Sequence, residues 1–172
     1  DGKRMPFEAL SFPAVISLDT LEHVSEEMRQ EFIKECLRVS SECVLISVPL
    51  GSKAHILKEK ELSQRYTEVY GREHPYLADH VEKGLPTLGQ LEEYISLSGL
   101  ECRMFFSGNF LKESERMMKK LDLKEKGGLM SGPLRIFLKI SSLAVFHQFK
   151  LERQADDFTN RAYLFFDKTD SR

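Results

Sequence analysis

Two polar groups in this 172-residue chain carry side chains that suit chemistry. The first follows an apolar run at residues 14–18 and consists of Asp19, Thr20, Glu22 and His23. The second lies where prolines interrupt helical periodicity and consists of His74, Tyr76 and His80. Because histidine titrates near neutrality, His74 and His80 are candidate catalytic residues that could bind an acceptor or remove its proton. The alternative is that Tyr76 packs and both histidines are exposed.

A metal site at the second group would need more than its two histidines. His74 and His80 would require at least one further ligand. The three cysteines do not supply it, because no CxxC spacing occurs among Cys36, Cys43 and Cys102. The sequence therefore predicts no metal site. An odd number of cysteines without a secretory segment favours reduced, buried thiols and a cytoplasmic protein.

The elements that position these groups begin with a strand followed by a helix. The apolar run at residues 14–18 is typical of a strand buried on both faces. Ser25 can cap the helix that follows, and its charged face, which includes Arg29, is predicted to face solvent. Such a strand–loop–helix unit indicates an α/β fold, in which ligands bind at the carboxyl ends of parallel strands. Residues 18–23 are therefore where chemistry is expected.

The rest of the chain continues the alternation of strands and helices. Further strands are predicted at residues 43–48, 100–106 and 161–166, and helices at residues 56–70, 87–98, 110–121 and 133–153. Thr87 and Gln90 form a capping box, while Gly71 and Gly99 are predicted helix ends. Residues 72–86 are predicted to be irregular, because prolines and histidines interrupt the pattern.

Composition limits the classes of partner. Hydrophobic residues make up 41% of the chain and charged residues 30%, with a formal net charge of −2. These values fit one domain over residues 1–172 and give no electrostatic footprint for nucleic acid. The sequence also contains no signal peptide and no apolar run long enough to span a bilayer.

The start of the chain resembles class I S-adenosylmethionine-dependent methyltransferases of the type 11 kind. The motifs that carry the resemblance are Asp1-Gly2, Met5-Pro6-Phe7, Ser11-Phe12 and the run ISLDTLEHV at residues 16–24. In that family an acidic residue and Gly or Ala close the third strand, and Leu-Pro-Phe, Ser-Phe-Asp, the fourth strand and Leu-Glu-His follow. Met5 replaces the leucine here, and Pro13 replaces the aspartate. The resemblance implies a Rossmann-like sheet, mostly parallel with an antiparallel last strand.

The resemblance also implies a cofactor, S-adenosylmethionine, and residues that would hold it. The Asp1 carboxylate would accept a hydrogen bond from the exocyclic amine of adenine, and the backbone amide of Gly2 would donate one to a ring nitrogen. Leu18, Asp19 and Thr20 would present backbone groups to the methionine part of the cofactor. His23 is either a cofactor contact or a structural histidine that hydrogen-bonds the helix entry.

The resemblance covers only the C-terminal part of such a domain. The sequence lacks a Gly-rich loop between a strand and a helix, because its one glycine cluster, at residues 127–132, follows no strand. We therefore expect the N-terminal part of the domain to be missing from this sequence. Residues 107–157 are predicted to form a helical insertion before the last strand, serving as a lid, a binding element or a subunit contact.

The leading hypothesis is methyl transfer to an unidentified small-molecule acceptor. The apolar helix predicted at residues 133–153 carries Arg135, Lys139 and Ser142 on one narrow face, which would suit a glycan, an amphipathic or lipid-linked acceptor, or a membrane surface. The same helix could form a homodimer contact. The alternative function is a non-catalytic methyltransferase-like scaffold that acts as an interaction module. A nicotinamide-dependent dehydrogenase is disfavoured, because it would need the Gly-rich loop.

Overall fold

The computed structural model describes residues 4–125 and 150–169. Its strands and α-helices are, in chain order, β1 (Phe12–Leu18), α1 (Glu26–Val39), β2 (Ser40–Pro49), α2 (Lys53–Tyr70), α3 (Pro75–Lys83), α4 (Leu88–Ser98), β3 (Cys102–Asn109), α5 (Phe110–Glu125) and β4 (Thr159–Asp167). A 3-10 helix, Leu21–His23, separates β1 from α1.

The described strands form one mixed sheet with the order β1-β2-β4-β3. β1 and β2 are parallel, whereas β4 is antiparallel to both of its neighbours. The last strand of the chain is therefore inserted between β2 and β3, and β3 runs in the same direction as β1 and β2. This arrangement confirms the predicted α/β sheet that is mostly parallel with an antiparallel last strand.

The hydrophobic core lies on one face of the sheet. Every second residue of β2 and β4 points into it, and these side chains are completely buried: Val44, Ile46, Val48, Ala162, Leu164 and Phe166. α1 contributes Phe32, Ile33 and Cys36 to the same core, and α4 contributes Leu91. Burying a large aliphatic or aromatic side chain contributes about 1.5–3 kcal/mol, so this face supplies much of the stability of the domain.

The other face of the sheet is largely open at β1. Ile16 and Leu18 are 65% and 60% exposed, because the helices packed on this strand within residues 4–125 cover only the face of Val15 and Ser17. The prediction that this strand is buried on both faces is therefore wrong for the described part of the chain. Its apolar composition still marks the strand correctly.

Helix ends agree with the predicted capping chemistry at α2 and α4. Ser25 lies at the N-cap position of α1, but its side chain makes no capping hydrogen bond, so the predicted side-chain cap is wrong. Thr87 and Gln90 form the capping box of α4, and Gly71 and Gly99 end α2 and α4 with φ values of +66° and +68°. Residues 72–86, predicted to be irregular, instead contain α3, which begins with Pro75. Proline at the first helical position has no amide hydrogen to lose from the helix, so it is compatible with a helix start.

The predicted insertion at residues 107–157 is only partly described. β3 continues to Asn109, and α5 confirms the helix predicted at residues 110–121. Residues 133–149 of the last predicted helix lie outside the described residues. Residues 150–153 are not helical, since Glu152 instead exchanges backbone hydrogen bonds of 2.9 Å with Phe106. Among the helices described, none combines the length and the apolar character needed to cross a membrane.

Candidate functional site

Asp19 holds the loop that follows β1 against β2 and β4. Its backbone amide donates to the Ser47 carbonyl of β2 at 3.0 Å, and its φ of +50° lies in the left-handed region. Its carboxylate accepts a hydrogen bond from Arg161 of β4, which also donates to the Ser47 hydroxyl at 2.9 Å. Burial alone would lower the pKa of Arg161, but the bond and charge of Asp19 outweigh it and raise that pKa. Arg161 of β4 and Asp19 after β1 therefore form an ion pair.

The next residues leave backbone groups accessible at the carboxyl end of β1. The Thr20 hydroxyl donates to the Leu18 carbonyl at 3.1 Å, and both residues are exposed. Carbonyls and hydroxyls in this position could bind a cationic or hydroxyl-bearing ligand. Asp1 and Gly2, which the resemblance assigns to adenine, lie outside the described residues.

The 3-10 helix brings the first polar group against α3. Leu21 is completely buried and anchors the turn, while the His23 amide donates to the Thr20 carbonyl at 3.0 Å. His23 Nδ1 lies 3.0 Å from Asp79 Oδ2 of α3. The ring centroids of His23 and His80 are 5.2 Å apart. The two groups that the sequence presents separately therefore meet at one place.

Two cations hold α3 in this position through backbone carbonyls. The Arg29 guanidinium of α1 donates to the carbonyls of Val24 (3.1 Å), Lys83 (2.9 Å) and Gly84. The Lys83 ammonium in turn donates to the His23 carbonyl at 2.9 Å. Arg29 is only 1% exposed, so the prediction that it faces solvent is wrong. Its burial is tolerated because its charge meets the carbonyl end of α3.

His80 is held by a buried carboxylate of α2. Its Nδ1 lies 2.9 and 3.2 Å from the two oxygens of Glu59, and Glu59 also lies 3.8 Å from His55 Nε2. Burial would lower the pKa of His80, but the hydrogen bond and charge of Glu59 outweigh burial and raise it. His55 itself bonds the Leu50 carbonyl at 2.8 Å, which fixes its ring in the α2–α5 contact.

Glu22 belongs to the first polar group of the sequence, but no role is predicted for it there. It is 1% exposed, its Oε2 has no hydrogen-bond partner among the described residues, and burial raises the pKa of its carboxyl. Within the same residues, His80 Nε2 is likewise buried without a partner. Glu22, His23 and His80, here named the Glu22 cluster, each offer a ligand atom within 4.8 Å of the others. The sequence signal that could have indicated this role is the adjacent pair Glu22-His23 shortly after a predicted strand.

His74 lies outside the Glu22 cluster. Its Nδ1 accepts a hydrogen bond from the Leu77 amide at 3.4 Å and caps α3, and its ring contacts those of Tyr66 and Tyr76. Burial lowers the pKa of His74, as do His80 and Arg72. Tyr76 is 63% exposed, whereas both histidines are partly buried. The alternative of a packed tyrosine with two exposed histidines is therefore wrong.

Several solved structures that are similar to this chain carry methyltransferase names, and their sequence identity to it is low. A Galdieria sulphuraria protein assigned as a sarcosine dimethylglycine methyltransferase is 16% identical, with 99% of this chain and 58% of that chain covered and a TM-score of 0.53. Haemonchus contortus phosphoethanolamine N-methyltransferase 2, in complex with phosphomonomethylethanolamine and S-adenosylhomocysteine, is 21% identical; the coverages are 97% and 36%, and the TM-score is 0.47. No family model matches the chain, and no curated protein matches its sequence.

The likeness to the Galdieria protein, together with the strand order, shows that the chain has the Rossmann-like fold of methyltransferases. This confirms the fold that the resemblance implied. The chain spans 58% of the length of the Galdieria protein and 36% of the Haemonchus protein.

Proposed function

We propose that this protein takes part in methyl transfer from S-adenosylmethionine to a small-molecule acceptor. The observation that supports it most directly is the position of residues 18–23, which carry the resemblance and follow the carboxyl end of β1. Open α/β sheets bind their ligands at this end of the strands. The same segment contacts α3 through His23 and Asp79. One loop would therefore bind the cofactor at the end of β1 and also reach the polar residues of α3 beside which the acceptor would bind.

The residues at the end of β1 fit the methionine part of the cofactor. S-adenosylmethionine, when bound, supplies a methyl group activated by a sulfonium cation. The exposed backbone of Leu18, Asp19 and Thr20 would bind this part, and the nearby carboxylate of Glu22 favours a cation electrostatically. We assign adenine to Asp1 and Gly2, as the resemblance implies.

We propose that the acceptor binds beside α3, near His23 and His80. Both imidazole rings are oriented by carboxylates, which is the arrangement that general bases use to hold a productive tautomer. His80 is therefore a better candidate for proton transfer than His74, whose Nδ1 already caps a helix. We propose a glycan or an amphipathic molecule as acceptor, with residues 133–153 at the acceptor side or in a homodimer contact.

The cofactor proposal is tested by calorimetry with S-adenosylhomocysteine. We expect the full-length gene product to bind it and residues 1–172 alone to bind it weakly, because cofactor contacts come from both halves of such a sheet. Asp1→Ala in the full-length protein should weaken binding by about 1–3 kcal/mol, the effect of leaving a buried partner unmet. Glu8→Ala, which removes a carboxylate from an exposed residue seven positions further along the sequence, is the matched control.

A transfer assay separates an enzyme from an interaction module. The full-length protein is incubated with methyl-labelled S-adenosylmethionine and pools of glycans and amphipathic hydroxyl or amine compounds, and label is followed into product. Binding of S-adenosylhomocysteine, together with transfer of the label to an acceptor, supports the proposal. Absence of any cofactor binding by the full-length protein would favour the interaction module instead.

A further inference from the structure

The Glu22 cluster contains two buried atoms, Glu22 Oε2 and His80 Nε2, that have no hydrogen-bond partner among the described residues. His80 Nδ1 donates to the Glu59 carboxylate, so the neutral imidazole carries its lone pair on Nε2. The ionised Glu22 carboxylate is likewise an acceptor at Oε2. Buried polar atoms without a partner are costly, since each has given up its water. A cation bound by both atoms would satisfy them, because it binds the neutral imidazole and the ionised carboxylate.

His23 is the third member of the Glu22 cluster. Its Nδ1 is bonded to Asp79 at 3.0 Å, which leaves Nε2 for a further partner. The two histidines thus share one design, in which a carboxylate binds one ring nitrogen and orients the other. This carboxylate–histidine pairing is the usual outer shell of metal-bound histidines, where it fixes the tautomer and raises the basicity of the ligand.

The charges and dimensions of the site suit a divalent ion. Within the described residues, the three carboxylates of Glu22, Glu59 and Asp79 outnumber two nearby cations: the Lys83 ammonium, 3.5 Å from Asp79, and the Arg29 guanidinium, which interacts electrostatically with Glu22. The ligand atoms lie within 4.8 Å of one another. Zinc bonds to nitrogen and oxygen of about 2.0–2.2 Å place tetrahedral ligands roughly 3.5 Å apart, so small side-chain rotations would close the site.

We propose that Glu22, His23 and His80 bind a divalent first-row transition-metal ion such as Zn²⁺. Two imidazoles and one carboxylate suit such ions rather than Mg²⁺, which prefers oxygen ligands and water. The side chain of His23 is 24% exposed and provides a route of entry. Three protein ligands leave at least one position for an exogenous oxygen or nitrogen ligand. The inference concerns the cluster itself and does not depend on methyl transfer; with the ion bound, His23 and His80 would be its ligands in place of the proton-transfer role proposed above.

The ion alone is sufficient to test this site. Metal-free full-length protein is titrated calorimetrically with Zn²⁺, and Co²⁺ is added separately to record its visible absorption. We expect one saturable Zn²⁺ site and cobalt bands typical of a low-coordinate nitrogen and oxygen site. Glu22→Gln and His80→Ala should each weaken Zn²⁺ binding more than about 100-fold, beyond the effect usual for an outer-shell residue.

Two further variants identify the origin of any loss. Asp79→Asn should weaken Zn²⁺ binding by about 10–100-fold, because it disturbs the orientation of His23 without removing a ligand. Glu82→Gln removes the same charge from an exposed position of α3 and should leave binding unchanged. Circular dichroism checks folding, and Glu22→Gln preserves side-chain shape if His80→Ala does not fold. Absence of saturable binding, or equal binding by Glu22→Gln and Glu82→Gln, would overturn the proposal, whatever the outcome of the cofactor titration.

Discussion

Helix α2 contacts its two neighbours through ionic groups that differ in burial. Near its middle, Glu59 meets His80 of α3, and both side chains are 11% exposed. Farther along, Arg65 meets Asp122 and Glu125 of α5, whose side chains are 50% and 54% exposed. The surface contact joins more charges, yet each of them can also be solvated by water. The buried contact joins fewer charges and leaves Glu22 and His80 with unpartnered atoms.

This difference teaches that burial, rather than the number of charges, distinguishes a candidate site from a helix-to-helix brace. Exposed ion pairs contribute little because water competes for both partners. A buried carboxylate beside an imidazole has no such competitor, so its hydrogen bonds determine tautomer, orientation and affinity for a ligand. Variants that remove one charge at matched positions can test this distinction through the free energy of unfolding.

The largest effect is expected at Arg29, the buried cation that caps α3. Arg29→Met should lower the free energy of unfolding by about 3 kcal/mol, because three backbone carbonyls lose a charged donor. Lys34→Met removes the same charge from an exposed position of α1 and should change stability by less than about 0.5 kcal/mol. Urea denaturation measures both variants. Equal destabilisation would show that burial does not set the difference.

Glu59→Gln is expected to have the next largest effect. The amide keeps the shape of the side chain but loses the charge-assisted hydrogen bond to His80, so the free energy of unfolding should fall by about 2 kcal/mol. The matched control is Glu61→Gln on the same helix, where the exposed carboxylate pairs with Lys58. A control that loses as much stability as Glu59→Gln would contradict the role given to burial.

The element order was predictable because each part of it depends on local sequence. The apolar run of β1 marks a strand, and the Thr87–Gln90 capping box marks the start of α4. α3 is not predicted, because a proline usually interrupts helical periodicity, whereas Pro75 occupies the first position of this helix. Exposure of β1 could not be predicted from composition, since it depends on which helices pack against the sheet.

The candidate site was predictable only in its separate pieces. Polar residues after β1 indicated one half of it, and His80 belonged to the other predicted group. Their meeting depends on Arg29 and Lys83, which bind backbone carbonyls that no residue spacing encodes. The pairing of Asp19 with Arg161 joins residues from opposite ends of the described chain, and no local sequence pattern predicts it.

A smaller effect is expected at the surface brace of α2. Arg65→Met should lower the free energy of unfolding by less than Glu59→Gln does, because both of its carboxylate partners on α5 remain solvated after the change. Raising the salt concentration to about 0.5 M should reduce the difference between the two proteins, since exposed charges are screened. A salt-independent loss as large as that of Glu59→Gln would remove the distinction between the two contacts.

The smallest effect is expected at Glu35 of α1, which pairs with the partly exposed Arg38 and also binds Met5 near the start of the described residues. Its carboxylate accepts hydrogen bonds from Arg38 at 2.7 and 2.8 Å and from the Met5 amide at 2.9 Å. Arg38, and then the Met5 amide, lower the pKa of Glu35 from 4.5 to about 2. The ionised group therefore stabilises the folded protein above pH 4.5, and this stabilisation is lost as the pH falls toward 2.

Glu35→Gln tests this contribution through the pH dependence of stability. Because water reaches Arg38, whose side chain is 34% exposed, the variant should lose at most about 1 kcal/mol at neutral pH, and the difference from the unmodified protein should shrink between pH 4.5 and 2. Glu31→Gln, which removes a charge from the exposed pair with Lys34, controls for net charge. Thermal melts across this range measure both variants. A constant difference at every pH would show that Glu35 stabilises the protein through packing, and its contact with Arg38 would then belong with the structural braces rather than with the titrating groups.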